Sequence, residues 1–243
     1  MTDDDLEQLR RLFEVMEQLR APGGCPWDRA QSHQTLLPFL LEETYETIQA
    51  AEEGSSQDLA EELGDLLVEV AMHSAIAAEA GTFDIGMVAR TATEKMVSRH
   101  PHVFADLEVD GVSAVMDNWE ELKRREKPDR ESALDGIPAA LPALALASAI
   151  QRRQERGHLR SAETLADPAD LALGALTRLV EGGGEESSET LVAELLFSVV
   201  ALARQRGVDP EGALRRAAAA HRQALRSTEI ESRAGDGSRS SES

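Results

Sequence analysis

Apolar residues recur at intervals of three and four through most of this chain, the spacing of helices buried along one side. Leu6, Leu9, Phe13, Met16 and Leu19 share a face over residues 4–20, and Asp3 to Asp5 occupy the end where a helix favours anions. Ala21-Pro22-Gly23-Gly24-Cys25-Pro26 breaks that pattern, and the loop runs on through Trp27, Asp28 and Gln31. Ser32 is a candidate N-cap for a helix over about 33–53, with Leu37, Leu40, Leu41 and Ile48 on its apolar side. Pro38 falls in its first turns, where a missing N–H is tolerated. After Gly54-Ser55-Ser56, the residues Leu59, Leu63, Leu66, Leu67, Val70 and Ala77 predict the longest helix, 57–80, which Gly81 ends. A helix over about 84–98 carries Met87, Val88, Thr91 and Lys95 and stops before His100-Pro101-His102, because the residue preceding proline avoids helical backbone. A loop to about 112 leads to a helix near 113–126 with Val115, Trp119, Leu122 and Lys123.

Pro128 to about Pro142, punctuated by proline and glycine, is the best domain boundary. It implies a first domain over 1–130, a linker over 131–142 and a second domain over 143–227. Helices are expected there at 143–158, 168–181, 189–206 and 210–227, with Gly182-Gly183-Gly184 as a turn. The tail from 228 to 243 is rich in Ser, Gly and Arg without periodicity, so disorder is expected. Period-two alternation is nowhere long enough to require a strand, and the expected class is all-α. Asp65-Leu66-Leu67-Val68-Glu69-Val70 can be laid over Glu194-Leu195-Leu196-Phe197-Ser198-Val199, after which Gly81 meets Gly207. That points to a duplicated helical unit.

Composition narrows the function. The chain has 243 residues, 42% hydrophobic and 29% charged, with only 3% aromatic, as in a water-soluble helical protein. A formal net charge of −20 repels nucleic acid and anionic membrane, so any phosphate ligand needs local cations or metal ions. Cys25 is the single cysteine, which rules out an intrachain disulfide and a thiolate zinc cluster. No apolar run approaches the ~20 residues of a membrane span, and no signal peptide precedes the first helix, so a cytoplasmic protein is expected.

The candidate chemistry lies between Glu42 and Asp65. Glu42, Glu43 and Glu46 share a broad face of one helix, and Glu62 and Asp65 are three apart on the next, with Glu69 a turn further on. Both groups abut apolar stripes, and the short Gly54 break would turn the two helices antiparallel. Stacked anions are unfavourable unless something neutralises them. An all-oxygen set suits Mg2+ or Mn2+ rather than zinc. A di-iron site would want matched Glu-x-x-His motifs, whereas Glu69 and His73 are four apart and unmatched. Neither a P-loop nor a dinucleotide glycine fingerprint occurs.

Glu42-Glu43-Thr44-Tyr45-Glu46 followed by Glu62-Leu63-Gly64-Asp65 resembles the EExxE…ExxD signature of the MazG nucleoside triphosphate pyrophosphohydrolases. Gly24-Cys25-Pro26-Trp27-Asp28 with Gln31, then Arg99-His100-Pro101-His102-Val103-Phe104, then Asn118-Trp119-Glu120-Glu121-Leu122-Lys123 also resemble that family, in the same order. The resemblance implies an all-α homodimer or larger homo-oligomer that hydrolyses an NTP or dNTP to the monophosphate and pyrophosphate with Mg2+. It implies Glu43, Glu46, Glu62 and Asp65 as metal ligands and Glu42 as an auxiliary carboxylate or base. Lys95, Arg99, Trp119 and Lys123 resemble its phosphate-binding residues, and Trp27, Gln31 and His33 are candidates for lining the base pocket. Clearance of non-standard or damaged nucleotides is the expected role; the alternative is a catalytically weak, nucleotide-binding regulatory scaffold.

The second half resembles a further unit of the same kind that has lost its chemistry. Glu194 stands where the aspartate of ExxD would be, Leu191 replaces its glutamate, and Leu176, Thr177, Arg178 and Leu179 lie in place of EExxE. His221 and Leu225 occupy the positions equivalent to Lys95 and Arg99. A degenerate repeat retained for packing, assembly or control is therefore expected.

Overall fold

The computed structural model describes residues 1–105, 107, 110–111, 115, 118–119, 122, 126, 131–157, 166–182 and 186–239, with side chains as far as 230. The fold is all-α: ten helices and no strand among the described residues. The chain divides into two compact units, Met1–Lys127 and Pro128–Ser243.

In the first unit α1 spans Asp3–Arg20 and opens on a capping box: Asp5 N donates to Thr2 Oγ1 at 3.1 Å, and Thr2 N donates to Asp5 Oδ2 at 2.6 Å. The chain then doubles back on the end of α1, where Cys25 N donates to Leu19 O at 2.8 Å. A Cβ on Gly24 would lie 2.3 Å from Leu19 O and 2.5 Å from Gln18 O, so this return requires glycine. The single turn α2, Pro26–Arg29, follows.

Helix α3 spans Leu37–Glu53 rather than starting near residue 33. The proline ring of Pro38 would press on the carbonyl four residues earlier, so the helix begins just ahead of it. Ser32 instead closes a local turn, exchanging bonds with Thr35 through both side chains. Gly54, at φ +78°, ends α3, and Ser55 caps α4, Ser56–Glu79, by accepting from Asp58 N. The turn is so short that α3 and α4 form an antiparallel hairpin, and the Thr47 hydroxyl bonds Glu43 O at 2.8 Å while lying 3.4 Å from Glu62 O. Helix α4 also packs on α1, burying Met16, Leu36, Ala71 and Met72 as the core. Helix α5, Ile85–Arg99, packs on α4. The segment expected to be loop after His100 begins with one helical turn, α6, Pro101–Phe104, which Pro101 can start because its missing N–H has no helical partner there.

In the second unit α7 spans Ala143–Arg156, α8 Pro168–Val180, α9 Ser188–Gln205 and α10 Pro210–Arg239. Helices α8 and α9 pair as a hairpin, and α7 and α10 pack on α9. The first unit has the same order: a leading helix and a trailing helix both packed on the second arm of a hairpin. Helix α10 continues to Arg239, past the expected start of disorder at 228. Extending an existing long helix adds one bond per residue without repeating the costly nucleation step, so a tail of weak helix formers can still follow it.

Arg20 ties the first unit together. Its side chain is buried, and Nε and Nη2 each donate to the Glu79 carboxylate at 2.8 Å while Nη1 donates to Asp28 O. The bond from Arg20 holds the Glu79 carboxyl below its ordinary 4.5. A depressed folded value means stability that is present above 4.5 and lost as pH falls through the depressed value. Glu79→Gln is expected to lower the unfolding free energy by about 1–2 kcal/mol at neutral pH, the half-exposed carboxylate being partly screened by solvent. In denaturant titrations the gap between wild type and variant should close on acidification; a gap independent of pH would show that charge is not its source.

Candidate metal centre

The α3–α4 hairpin brings together acids that are far apart in the chain. One carboxylate oxygen from each of Glu43, Glu62 and Asp65 lies within 4.8 Å of the other two. Glu62 and Asp65 meet because residues three apart on a helix share a face; Glu43 joins them only because α3 folds back across the Gly54 turn. Glu43 and Glu62 are half-buried and Asp65 is exposed. Burial pushes the Glu43 carboxyl above its ordinary range, and the charges of Asp65, Glu46, Glu62 and Glu42 push it further. Glu62 is raised by burial and then by Glu46, Asp65, Glu61 and Asp58. Each of those charges is another carboxylate, so the fold has gathered anions that repel one another. A hard divalent cation fits this donor set, since oxygen ligands from few side chains, completed by water or phosphate, are what Mg2+ and Mn2+ take.

Other residues singled out in the sequence occupy different surroundings. Glu46 is exposed and within electrostatic reach of Glu43 and Glu62, and Glu42 is exposed and acts on Glu43, but neither belongs to the close trio. Lys95 is exposed on α5, whereas Arg99, one turn on, is buried and engaged. Its Nη2 donates to Glu126 Oε2 at 2.5 Å, its Nε lies 3.1 Å from the same oxygen, and its guanidinium sits 5.1 Å from the centre of the Trp119 ring. Arg99 thus joins its helix end to Trp119 and Glu126. Lys123 lies outside the described residues.

Trp27 is 54% exposed and meets Phe39 edge to face at 5.8 Å. Gln31 is fixed locally, donating to Trp27 O at 3.0 Å and accepting from the Thr35 hydroxyl at 2.7 Å. The His33 ring stacks on His73 at 5.0 Å, and the two Nδ1 atoms are 2.7 Å apart. That pairing was not legible in the sequence, where Glu69 and His73 registered only as an unmatched acid and histidine four residues apart.

In the second unit the corresponding position holds an internal cation. Arg178 Nη2 donates to Glu194 Oε2 at 2.5 Å and its Nε lies 3.5 Å from Glu186. Leu191, one turn before Glu194, is wholly buried.

Residues 31–104 match the family model described as the MazG nucleotide pyrophosphohydrolase domain. A nucleoside triphosphate pyrophosphohydrolase/pyrophosphatase MazG from Thermotoga maritima is 41% identical over 209 residues, covering 85% of this chain and 79% of that protein. A nucleoside triphosphate pyrophosphohydrolase from Escherichia coli K12 is 37% identical over 220 residues, 87% of this chain and 83% of that protein. The crystal structure of a mazG-related protein from Thermotoga maritima superposes with a TM-score of 0.41 at 29% identity, over 47% of this chain and 98% of that one. With the acid motif, the loop blocks before and after it and similarity along most of its length, the chain belongs to the MazG nucleotide pyrophosphohydrolase family.

Proposed function

We propose that this protein hydrolyses nucleoside triphosphates, ribo or deoxy, to the monophosphate and pyrophosphate, dependent on Mg2+ with Mn2+ as a substitute. The observation that carries the proposal is the convergence of Glu43, Glu62 and Asp65 across the α3–α4 hairpin. These three hold the cation, and Glu46, whose charge acts on Glu43 and Glu62, joins them as a ligand or through water. When bound, such an ion lowers the pKa of a coordinated water and neutralises phosphate oxygens. Water adds at the α-phosphorus, the bond from that phosphorus to the bridging oxygen breaks, and pyrophosphate departs. Glu42, beside the trio, serves as the auxiliary base that takes the water's proton. Lys95 and, from the sequence resemblance, Lys123 offset charge developing on the pyrophosphate, while Arg99 positions Trp119 rather than touching substrate. The free nucleotide pool of the cytoplasm is the substrate source, with altered or damaged triphosphates among its targets. Among the described residues no helix is long and apolar enough to cross a membrane.

We further assign the working site to the first unit and read the second as a degenerate repeat. In both a leading and a trailing helix meet the second arm of a hairpin, but at the second hairpin Arg178 pairs with Glu194. We also propose self-association through the hairpin of the first unit. Leu37 and Leu41 on α3, and Leu63 and Leu67 on α4, are 57%, 59%, 47% and 39% exposed, stripes of apolar surface that a partner copy would cover.

Glu43→Ala and Asp65→Ala are each expected to reduce pyrophosphate release from a mixed NTP and dNTP panel at least about hundredfold, on the scale of losing a charge-stabilising group. Glu194→Ala should change it less than about twofold. Nucleotide binding without turnover in the wild type would instead support a regulatory scaffold. Because the Glu43 and Glu62 carboxyls are raised, protons compete with the cation at higher pH than ordinary carboxyls allow. Calorimetry should show Mn2+ affinity falling as pH drops through that raised range, with Glu43→Gln reducing the dependence and the Glu62 share remaining. Without metal the same raised values mean that protonation favours the folded form, so this cluster's contribution is present at low pH and lost as pH rises through them. Analytical ultracentrifugation should find a dimer or larger species that Leu41→Glu with Leu63→Glu dissociates.

A further inference from the structure

A turn beyond the acid trio along α4 lies a second constellation with unmet bonding capacity. Glu69 is only 7% exposed, and its Oε2 has no hydrogen-bond partner among the described residues. His73, four residues on and so on the same face, has a buried Nε2 that is also unpartnered among them. Burial pushes the Glu69 carboxyl above its ordinary range, and burial followed by the neighbouring His33 pushes His73 down. Buried polar atoms are nearly always satisfied, so two orphans on one helix face call for a partner that the described residues do not supply.

The surroundings indicate its shape. His33 stacks on His73 at 5.0 Å with planes 4° apart, and on Phe83 at 6.4 Å with planes 19° apart. Parallel rings beside unsatisfied polar atoms suit a flat heteroaromatic with hydrogen-bonding edges. The spacing is also apt: at 1.5 Å of rise per residue, Glu69 stands about 6 Å and His73 about 12 Å along the axis from Asp65. A nucleotide whose phosphates meet the acid trio would extend its base by the width of one sugar, which reaches this cluster.

We propose that Glu69, with His73 and His33, reads the nucleobase, and that it favours bases presenting amino or paired N–H donors over uracil and thymine. The chemistry sets the direction. The direction belongs to the carboxylate form of Glu69, which offers the ligand acceptors only, whereas a protonated carboxyl adds an O–H donor that a carbonyl accepts. Guanine offers two adjacent donors, and adenine and cytosine each offer an amino group. Uracil and thymine offer a single N–H flanked by carbonyls, whose oxygens would face the carboxylate. Whichever Nδ1 of the histidine pair carries the proton, His73 Nε2 remains available as donor or acceptor for the same ligand. This inference rests on the acid trio binding the triphosphate.

The test is a matched panel of GTP, ATP, CTP, UTP and dTTP with wild type and Glu69→Gln, scored by pyrophosphate release and by equilibrium binding with Mg2+. The amide keeps the shape but can turn a donor toward a carbonyl. The preference for amino-bearing bases over UTP and dTTP should therefore fall about tenfold, the scale of one hydrogen bond to a charged group, mainly in KM and binding. His73→Gln should weaken all five. A Glu69→Gln effect equal for every base, or confined to kcat, would show a structural role and overturn the inference. Should Glu69→Gln fold poorly by circular dichroism, Glu69→Asp, which withdraws the carboxylate, must lower the same ratio or the inference fails. Wild-type protein that turns over no triphosphate would sink the hydrolase reading instead, and the binding ratios would still decide the assignment of Glu69.

Discussion

The hairpin of α3 and α4 works against its own electrostatics. Glu43, Glu62 and Asp65 are brought within 4.8 Å, and the charges that act on Glu43 and Glu62 are further carboxylates. Left to themselves these groups would separate. What holds them is apolar: α4 is clamped by its other side against α1, with Met16, Leu36, Ala71 and Met72 buried between them. The acids occupy the rim of a packed helix pair and cannot part without opening it. Burial of the core is thus the source of the strain that a bound cation would relieve.

The second unit shows the same architecture with the problem solved internally. A leading helix, a hairpin and a trailing helix pack in the same order, but Arg178 reaches Glu194 and Glu186 across the second hairpin. There the Arg178 guanidinium offsets the charge of Glu194, which at the first hairpin no basic side chain does for the acid trio among the described residues. Two hairpins of similar packing therefore differ in whether their charge is closed or open. Closed charge favours a structural part, and open charge a ligand site.

Buried ionic groups elsewhere divide in the same way. Arg20 and Arg99 are both buried and both satisfied, by Glu79 with backbone carbonyls and by Glu126 with the Trp119 ring, and each fixes the end of a helix to a loop or a neighbouring segment. Glu69 and His73 are of the other sort, with buried atoms on α4 that no described residue satisfies. Closed charges pin helix ends, while the acid trio and the Glu69–His73 pair stand open on the α3–α4 hairpin.

Local pattern was enough for much of this. Helical periodicity, the Gly54 and Gly81 stops, the proline breaks and the acid spacing on each helix are properties of neighbours in the chain, and so is the all-α class that follows from them. The acid trio was also foreseeable, because a hairpin with so short a turn leaves its two arms little choice of partner. Pairings across long loops were not. His33 against His73, Arg99 against Glu126 and Arg20 against Glu79 depend on how helices dock, and no spacing rule links residues so far apart. Arg99 in sequence is one more basic residue a turn from Lys95; only packing shows it buried against Glu126 and Trp119. Sequence determined which side chains each helix offers on a face, and tertiary packing decided which of those charges are neutralised and which are left open for a ligand.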